Sequence, residues 1–175
     1  MTDAPIRLHI GGQERRDGWT ILDALERPEV DIVGACTDMS MLADATVSEI
    51  YASHVFEHLG YQDELLRALS ECHRVLVPGG MLRVSVPDLE VLCDFFLQAR
   101  GNGEARLKIM QMMFGAQGDA YDFHKVGLFW ELLGGYLQGA GFRDVRRVEE
   151  HGLFRDTSVM RANGRLISLN VTAVK

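Results

Sequence analysis

The chain has 175 residues, 47% of them hydrophobic, which is enough to bury one core and too little for two ordinary domains. Eighteen Lys and Arg against 25 Asp and Glu give a net charge of -7, which opposes the phosphate attraction that nucleic-acid binding relies on. No apolar stretch approaches the ~20 residues of a membrane span, and nothing near Met1 reads as a basic segment before an apolar run, so a cytoplasmic protein without membrane or nucleic-acid partners is expected.

In chain order, short β-like runs alternate with amphipathic helical segments, the pattern of an α/β sheet with helices on both faces. Residues 6–10 form the first predicted strand and end at Gly11-Gly12. Residues 20–22 form a second, ending at Asp23; residues 31–35 a third; residues 49–53 a fourth, followed by His54 and a turn over residues 57–60. The stretch from Gly11 to Asp23 is about the shortest crossover parallel strands allow, so the first helix is cut to a turn or so, or the strands do not pair in the usual way. Residues 62–77 then place Leu65, Leu69, Cys72 and Leu76 on one core-facing stripe, the clearest helix in the chain.

Pro78-Gly79-Gly80 stops that helix, since proline breaks the hydrogen-bond ladder and the glycines permit a turn. Residues 81–86 form the next strand. Asp88 is a good N-cap for a helix whose stripe is Leu89, Leu92, Phe95 and Ala99. Residues 104–126, Met-rich and then irregular, read as a lid or substrate segment inserted in a single domain spanning 1–175. Residues 128–140 look like a last helix, and residues 145–148 and 166–174 like two final strands, joined by a polar connection too long for a tight hairpin. The cysteines, Cys36, Cys72 and Cys93, are odd in number and far apart, so reduced thiols are expected.

In a parallel α/β sheet, ligands bind beyond the carboxyl ends of the strands. That rule selects Gly11 and Gly12, where backbone can approach a ligand, and Asp23, which can accept hydrogen bonds from ribose hydroxyls. After the third strand comes Cys36-Thr37-Asp38-Met39, where an acidic side chain can take an adenine amino group; the commoner use of such residues is an Asx-type cap followed by a core methionine. Ser53-His54-Val55-Phe56-Glu57-His58 gathers two imidazoles and a carboxyl at the end of the fourth strand. A histidine there can serve as a general base on a hydroxyl or amine. Glu57 and His58, joined by His124, can instead ligate a divalent metal, but His and Glu at a helix start are more commonly capping groups, and no metal is assigned.

Together, LHIGG with GWTILDAL, IYASHVFEHL, the run RVLVPGGMLRVSVPDL, and YDFHKVGLFWELLGGYLQGAGF with LISLNVTAVK resemble the class I S-adenosylmethionine-dependent methyltransferases, in particular small bacterial type 11-like domains. The resemblance covers nearly the whole chain. It implies a Rossmann-like sheet, mostly parallel with an antiparallel last strand, and S-adenosylmethionine as cofactor. It also implies that Gly11 and Gly12 approach the methionine part of the cofactor, that Asp23 holds the ribose, that Thr37, Asp38 and Met39 lie at the adenine, and that Ser53 and His54 floor the pocket beneath the sulfonium. The family's usual GxGxG-like run is replaced here by GGQERRDG. His54, His58 and His124 are the candidate bases, and a small molecule or glycan precursor is the expected acceptor. The alternative is a silent methyltransferase-like scaffold subunit, with a homodimer as its expected assembly. A dinucleotide oxidoreductase is disfavoured because its glycine fingerprint is missing.

Overall fold

The computed structural model describes residues 5–118 and 121–175; Met1 to Ala4 and residues 119–120 of the expected lid segment lie outside them. Alternation within the strands decides which face of the sheet is apolar. On β1 (Ile6–Ile10), Leu8 and Ile10 point into the main core while His9 points away. The same pattern separates Leu22 from Trp19 in β2 (Trp19–Asp23), and Ile50 and Ala52 from Tyr51 in β4 (Val47–Ser53). A third strand, β3 (Ile32–Val33), is brief. Its expected span of 31–35 ends early because Gly34 N–H donates to the carbonyl of Asp23 and the chain then leaves the sheet.

Helix α1 (Glu64–Val75) buries Leu65, Ala68, Leu69, Cys72 and Val75, the stripe its spacing predicts. It ends two residues before the expected Val77. Leu76 is already extended at ψ 141° and opens β5 (Leu76–Pro87), so Pro78-Gly79-Gly80 lies inside a strand instead of in front of one. Proline disfavours helical backbone at the residue before it as well as at its own position. The strand absorbs the two glycines through a register shift against β4, between Val47↔Leu76 and Glu49↔Met81.

Asp88 caps α2 (Leu89–Gln98) as predicted, its Oδ1 accepting from the N–H groups of Glu90 (3.1 Å) and Val91 (3.4 Å). The buried positions of α2 are Val91, Leu92 and Phe95, and they form a second small core with Ile167. Helix α3 (Gly103–Phe114) occupies the first half of the expected lid segment and packs Ile109, Met112 and Met113 on that core. Helix α4 (Trp130–Gly139) adds Leu133 and Leu137 to the main core beside α1. The remaining elements are β6 (Arg143–Arg147), the short pair β7 (Arg161–Ala162) and β8 (Arg165–Leu166), and β9 (Ser168–Val174).

The seven-stranded sheet runs in the order β3-β2-β1-β4-β5-β9-β6. Its strands β3 to β5 are mutually parallel, and β9 is antiparallel to both neighbours. The first crossover, residues 11–18, contains no helix at all, yet β1 and β2 pair in parallel from Arg7↔Trp19 to Ile10↔Leu22. The polar connection 149–160 lies where that helix is missing: Phe154 packs on His9 (4.2 Å between ring centres), Tyr51 (4.9 Å) and Trp19 (5.3 Å).

Candidate functional site

Strand order reverses between β1 and its neighbours β2 and β4, and loops diverging from such a point leave a crevice. A cavity of about 760 Å³ opens there. Gly11, Asp23, Thr37, Ser53, His54 and His58 all line it, from the ends of four different strands.

Gly11 stands at φ +73°, and a Cβ on it would meet Val55 Cγ2 at 2.6 Å, so no side chain fits between the two strand ends. Gly12, expected beside it, faces away: its missing Cβ would lie 2.7 Å from His9 Nδ1, and the protein's own imidazole fills that space. Asp23 lines the cavity with its side chain 14% exposed. Its Oδ1 accepts from Leu25 N–H (2.8 Å) and its Oδ2 from Arg27 Nη2 (3.0 Å). The same Arg27 nitrogen reaches the carbonyl of Gly12 (2.9 Å), tying the first two strand ends together, a role the sequence reading missed.

The adenine assignment needs correction. Met39 is fully buried in the main core, and Asp38 is an exposed Asx cap whose Oδ1 accepts from Ser40 N–H (3.1 Å). Neither borders the cavity; Ala35, Cys36 and Thr37 do. Met39 is drawn inward because its N–H donates to Glu71 (2.7 Å) and Arg74 holds its carbonyl (2.9 Å). Burial pushes the Cys36 thiol up to about 11, so it borders the cavity as a neutral group.

At the end of β4, His54 adopts φ +54°, a left-handed conformation that a side-chain-bearing residue holds only at some cost. Its backbone N–H donates to Ser85, and its side chain bridges two groups: Nε2 lies 3.0 Å from Ser168 Oγ and Nδ1 lies 3.1 Å from Glu57 Oε1. Ser168 Oγ spends its hydrogen on the carbonyl of Thr157 (3.0 Å), so His54 Nε2–H is the donor in the first contact. The contact with Glu57 is close but poorly directed, and neither Glu57 oxygen has a hydrogen-bond partner among the described residues. His58 Nδ1 donates to the carbonyl of Phe123 (3.2 Å) and His124 Nδ1 to that of Met113 (3.3 Å). The three expected imidazoles therefore converge, His54 and His58 on the cavity and His124 edge-on to His58 at 4.8 Å. Burial lowers the affinity of His124 for a proton.

Phe154, Arg155, Asp156 and Thr157 also line the cavity, none of them foreseen. Asp156 Oδ2 accepts from Tyr51 O–H (2.8 Å), and its carboxyl is held below its usual range, hydrogen bonds from Ser158 and Tyr51 outweighing the upward push of burial. Burial raises Tyr51 to about 12. A signal for this part of the lining was present: His9, Trp19 and Tyr51 alternate with core residues, so the second sheet face carries aromatic rings that something must cover.

The donor set suits S-adenosylmethionine. A carboxylate offers about four lone-pair positions, and protein donors occupy two of those on Asp23, which leaves capacity for a pair of ribose hydroxyls. Residues 21–84 match a family model described as a methyltransferase domain. None of the curated proteins compared matches the chain significantly. Among solved structures, it superposes on a SAM-dependent methyltransferase from Archaeoglobus fulgidus with TM-score 0.60 and 18% identity, covering 99% of this chain and 87% of that one. A methyltransferase from Mesorhizobium loti gives TM-score 0.59 at 15% identity, with 99% and 92% covered. The 1,6-didemethyltoxoflavin-N1-methyltransferase of Burkholderia thailandensis, solved with S-adenosylhomocysteine, gives 0.58 at 16%, with 98% and 71% covered. In its fold, and over the matched residues 21–84, the chain is similar to the class I S-adenosylmethionine-dependent methyltransferases.

Proposed function

We propose that the protein methylates an oxygen or nitrogen of a small molecule or glycan precursor. The observation that carries this reading is a single cavity bordered both by Gly11, Asp23 and Thr37, after β1, β2 and β3, and by His54, His58 and Phe123. Asp23 and the Gly11 backbone hold the nucleoside and methionine parts, and the residues around His54 place the acceptor. When bound, S-adenosylmethionine supplies a methyl group on a positively charged sulfur, already activated for displacement.

The chain's contribution is then positioning and exclusion of water, with a base needed only where the acceptor has a proton to lose. Both ring nitrogens of His54 face protein groups, so its task is to shape the wall. His58 Nε2 has no hydrogen-bond partner among the described residues and is the nitrogen available to receive a proton. Residues 121–126 adjoin it: Tyr121, Phe123 and Lys125 border the cavity, and Lys125 N–H donates to the Glu57 carbonyl (2.8 Å). We read residues 121–126 of the 104–126 segment as the lid. The net charge of -7 supports a small acceptor over a polyanion, and the unpaired cysteines support a cytoplasmic setting.

One set of observations favours a competing binding-subunit reading: Gly12 is filled by His9, and Arg27 occupies part of Asp23. Transfer of radiolabelled methyl from S-adenosylmethionine to fractionated acceptor pools separates the two. Label in phenolic, amine or sugar-nucleotide fractions supports the proposal. Label confined to RNA or protein, or cofactor binding with no transfer to any pool, contradicts it.

A further inference from the structure

We propose that Glu57, His58 and His124 form a binding site for one divalent transition-metal ion, zinc or a close relative, at the edge of the cavity. One ligating atom from each lies within 4.8 Å of the other two. Two further observations lift this above a chance cluster. The Glu57 side chain is 1% exposed, and neither of its oxygens has a hydrogen-bond partner among the described residues, an expensive state for a buried carboxyl unless something else occupies it. And both imidazoles are already oriented. Carbonyl oxygens accept only, so the contacts of His58 Nδ1 with Phe123 and of His124 Nδ1 with Met113 fix the ring hydrogen on Nδ1 and leave the lone pair on Nε2. That is the backing by which proteins usually orient metal-ligating histidines.

Two elements carry the ligands, and the backbone locks them together. Glu57 and His58 lie on the turn after β4, while His124 arrives on the segment after α3, held by its N–H to the Phe114 carbonyl (3.2 Å) and by Lys125 N–H to the Glu57 carbonyl (2.8 Å). Two imidazoles and one carboxyl select zinc, manganese, iron or cobalt over magnesium, and three protein ligands leave a coordination position open. Ligands bound at roughly 2.1 Å can be no more than about 4.2 Å apart, so the cluster tightens by about half an ångström on binding. His54 Nδ1 is the titratable neighbour on the other side, 3.1 Å from Glu57 Oε1, and Lys125 turns its ammonium to Glu64 (2.9 Å).

His58 belongs to both the cluster and the cavity wall, so the open position borders the cavity. On the methyl-transfer reading, on which this consequence rests, an ion seated there makes His58 act through the metal, and the loosening of an acceptor proton passes to the ion.

The test needs neither cofactor nor acceptor, so its failure is separable from failure of the methyltransferase reading. The full chain, stripped with chelator, is titrated with Zn²⁺, with Co²⁺ as an optical probe and Mg²⁺ for comparison. One Zn²⁺ per chain is expected, with visible Co²⁺ bands of nitrogen and oxygen ligation and no matching uptake of Mg²⁺. Glu57→Gln and His124→Ala should each weaken Zn²⁺ on the order of a hundredfold, since even outer partners of metal ligands cost 10–100-fold. His73→Ala, on α1 against Phe142, should leave binding unchanged. Glu57→Gln should also keep the metal-free chain folded, as seen in its thermal transition, while abolishing the rise in that transition on adding Zn²⁺. Absence of stoichiometric binding, or equal weakening by His73→Ala, overturns the proposal.

Discussion

His9 is 6% exposed, set among Trp19, Tyr51 and Phe154, and burial lowers it from 6.5 to about 4 against the raising effect of Asp156. Between those two values the unfolded chain takes up a proton that the folded chain refuses. Stability therefore falls as pH drops from 6.5 towards 4, and this residue costs nothing above that window. The full loss is about 3 kcal/mol at an order-of-magnitude level. In His9→Phe, which keeps a ring in the cluster, urea unfolding measured across the window should show a shallower decline than the parent; an identical slope would remove His9 from the account. Asp23 gives the second test at this scale. With its carboxyl removed in Asp23→Ala, S-adenosylhomocysteine should bind on the order of ten- to a hundredfold more weakly, as expected for losing charge-assisted hydrogen bonds. Thermal stability should then differ from the parent mainly when ligand is present. An equal shift with and without ligand would show that Asp23 serves the fold through Leu25 and Arg27 alone.

Helix α2 and the 149–160 connection show how elements secure the site. Asp88 ends β5 and caps α2 by accepting two backbone N–H groups, so Asp88→Ala should cost about 1 kcal/mol in chemical denaturation. Phe154 covers the aromatic face of the sheet. Phe154→Ala should destabilise by about 2 kcal/mol, below the usual range for a buried Phe because the ring is only partly buried, and should speed hydrogen exchange at β1 and β4. Unchanged exchange there would mean that the connection is not a cover. The first of these elements was legible and the second was not. Leu65, Leu69 and Cys72 announce α1 by their spacing, and Asp88 announces a cap by its type and place. The 149–160 connection has no period. Its position follows from rings on β1, β2 and β4 that are distant in sequence, and from a crossover too short to hold a helix. Met39 was misplaced for a similar reason: whether a residue just past a strand end faces ligand or core was settled by Glu71 and Arg74, more than 30 positions away.

At the scale of the molecule, the order of the sheet brings residues from the ends of β1, β2, β3 and β4 around one cavity, although part of its lining comes from a segment after β6. Gly11, Asp23, Ser53 and His54 were legible as strand-end residues because the parallel topology obliges their loops to converge. Arg27 and Asp156 were not, since their parts depend on pairing with Asp23 and Tyr51. The reduced first crossover and the glycine filled by His9 set this chain apart from the family's usual glycine run, and the claim that the cavity still serves the cofactor is the one on which the rest depends. Calorimetric titration of the purified chain with S-adenosylmethionine and with S-adenosylhomocysteine tests it most directly. One saturable site per chain for both is the predicted result; no heat of binding for either at millimolar concentration would contradict it.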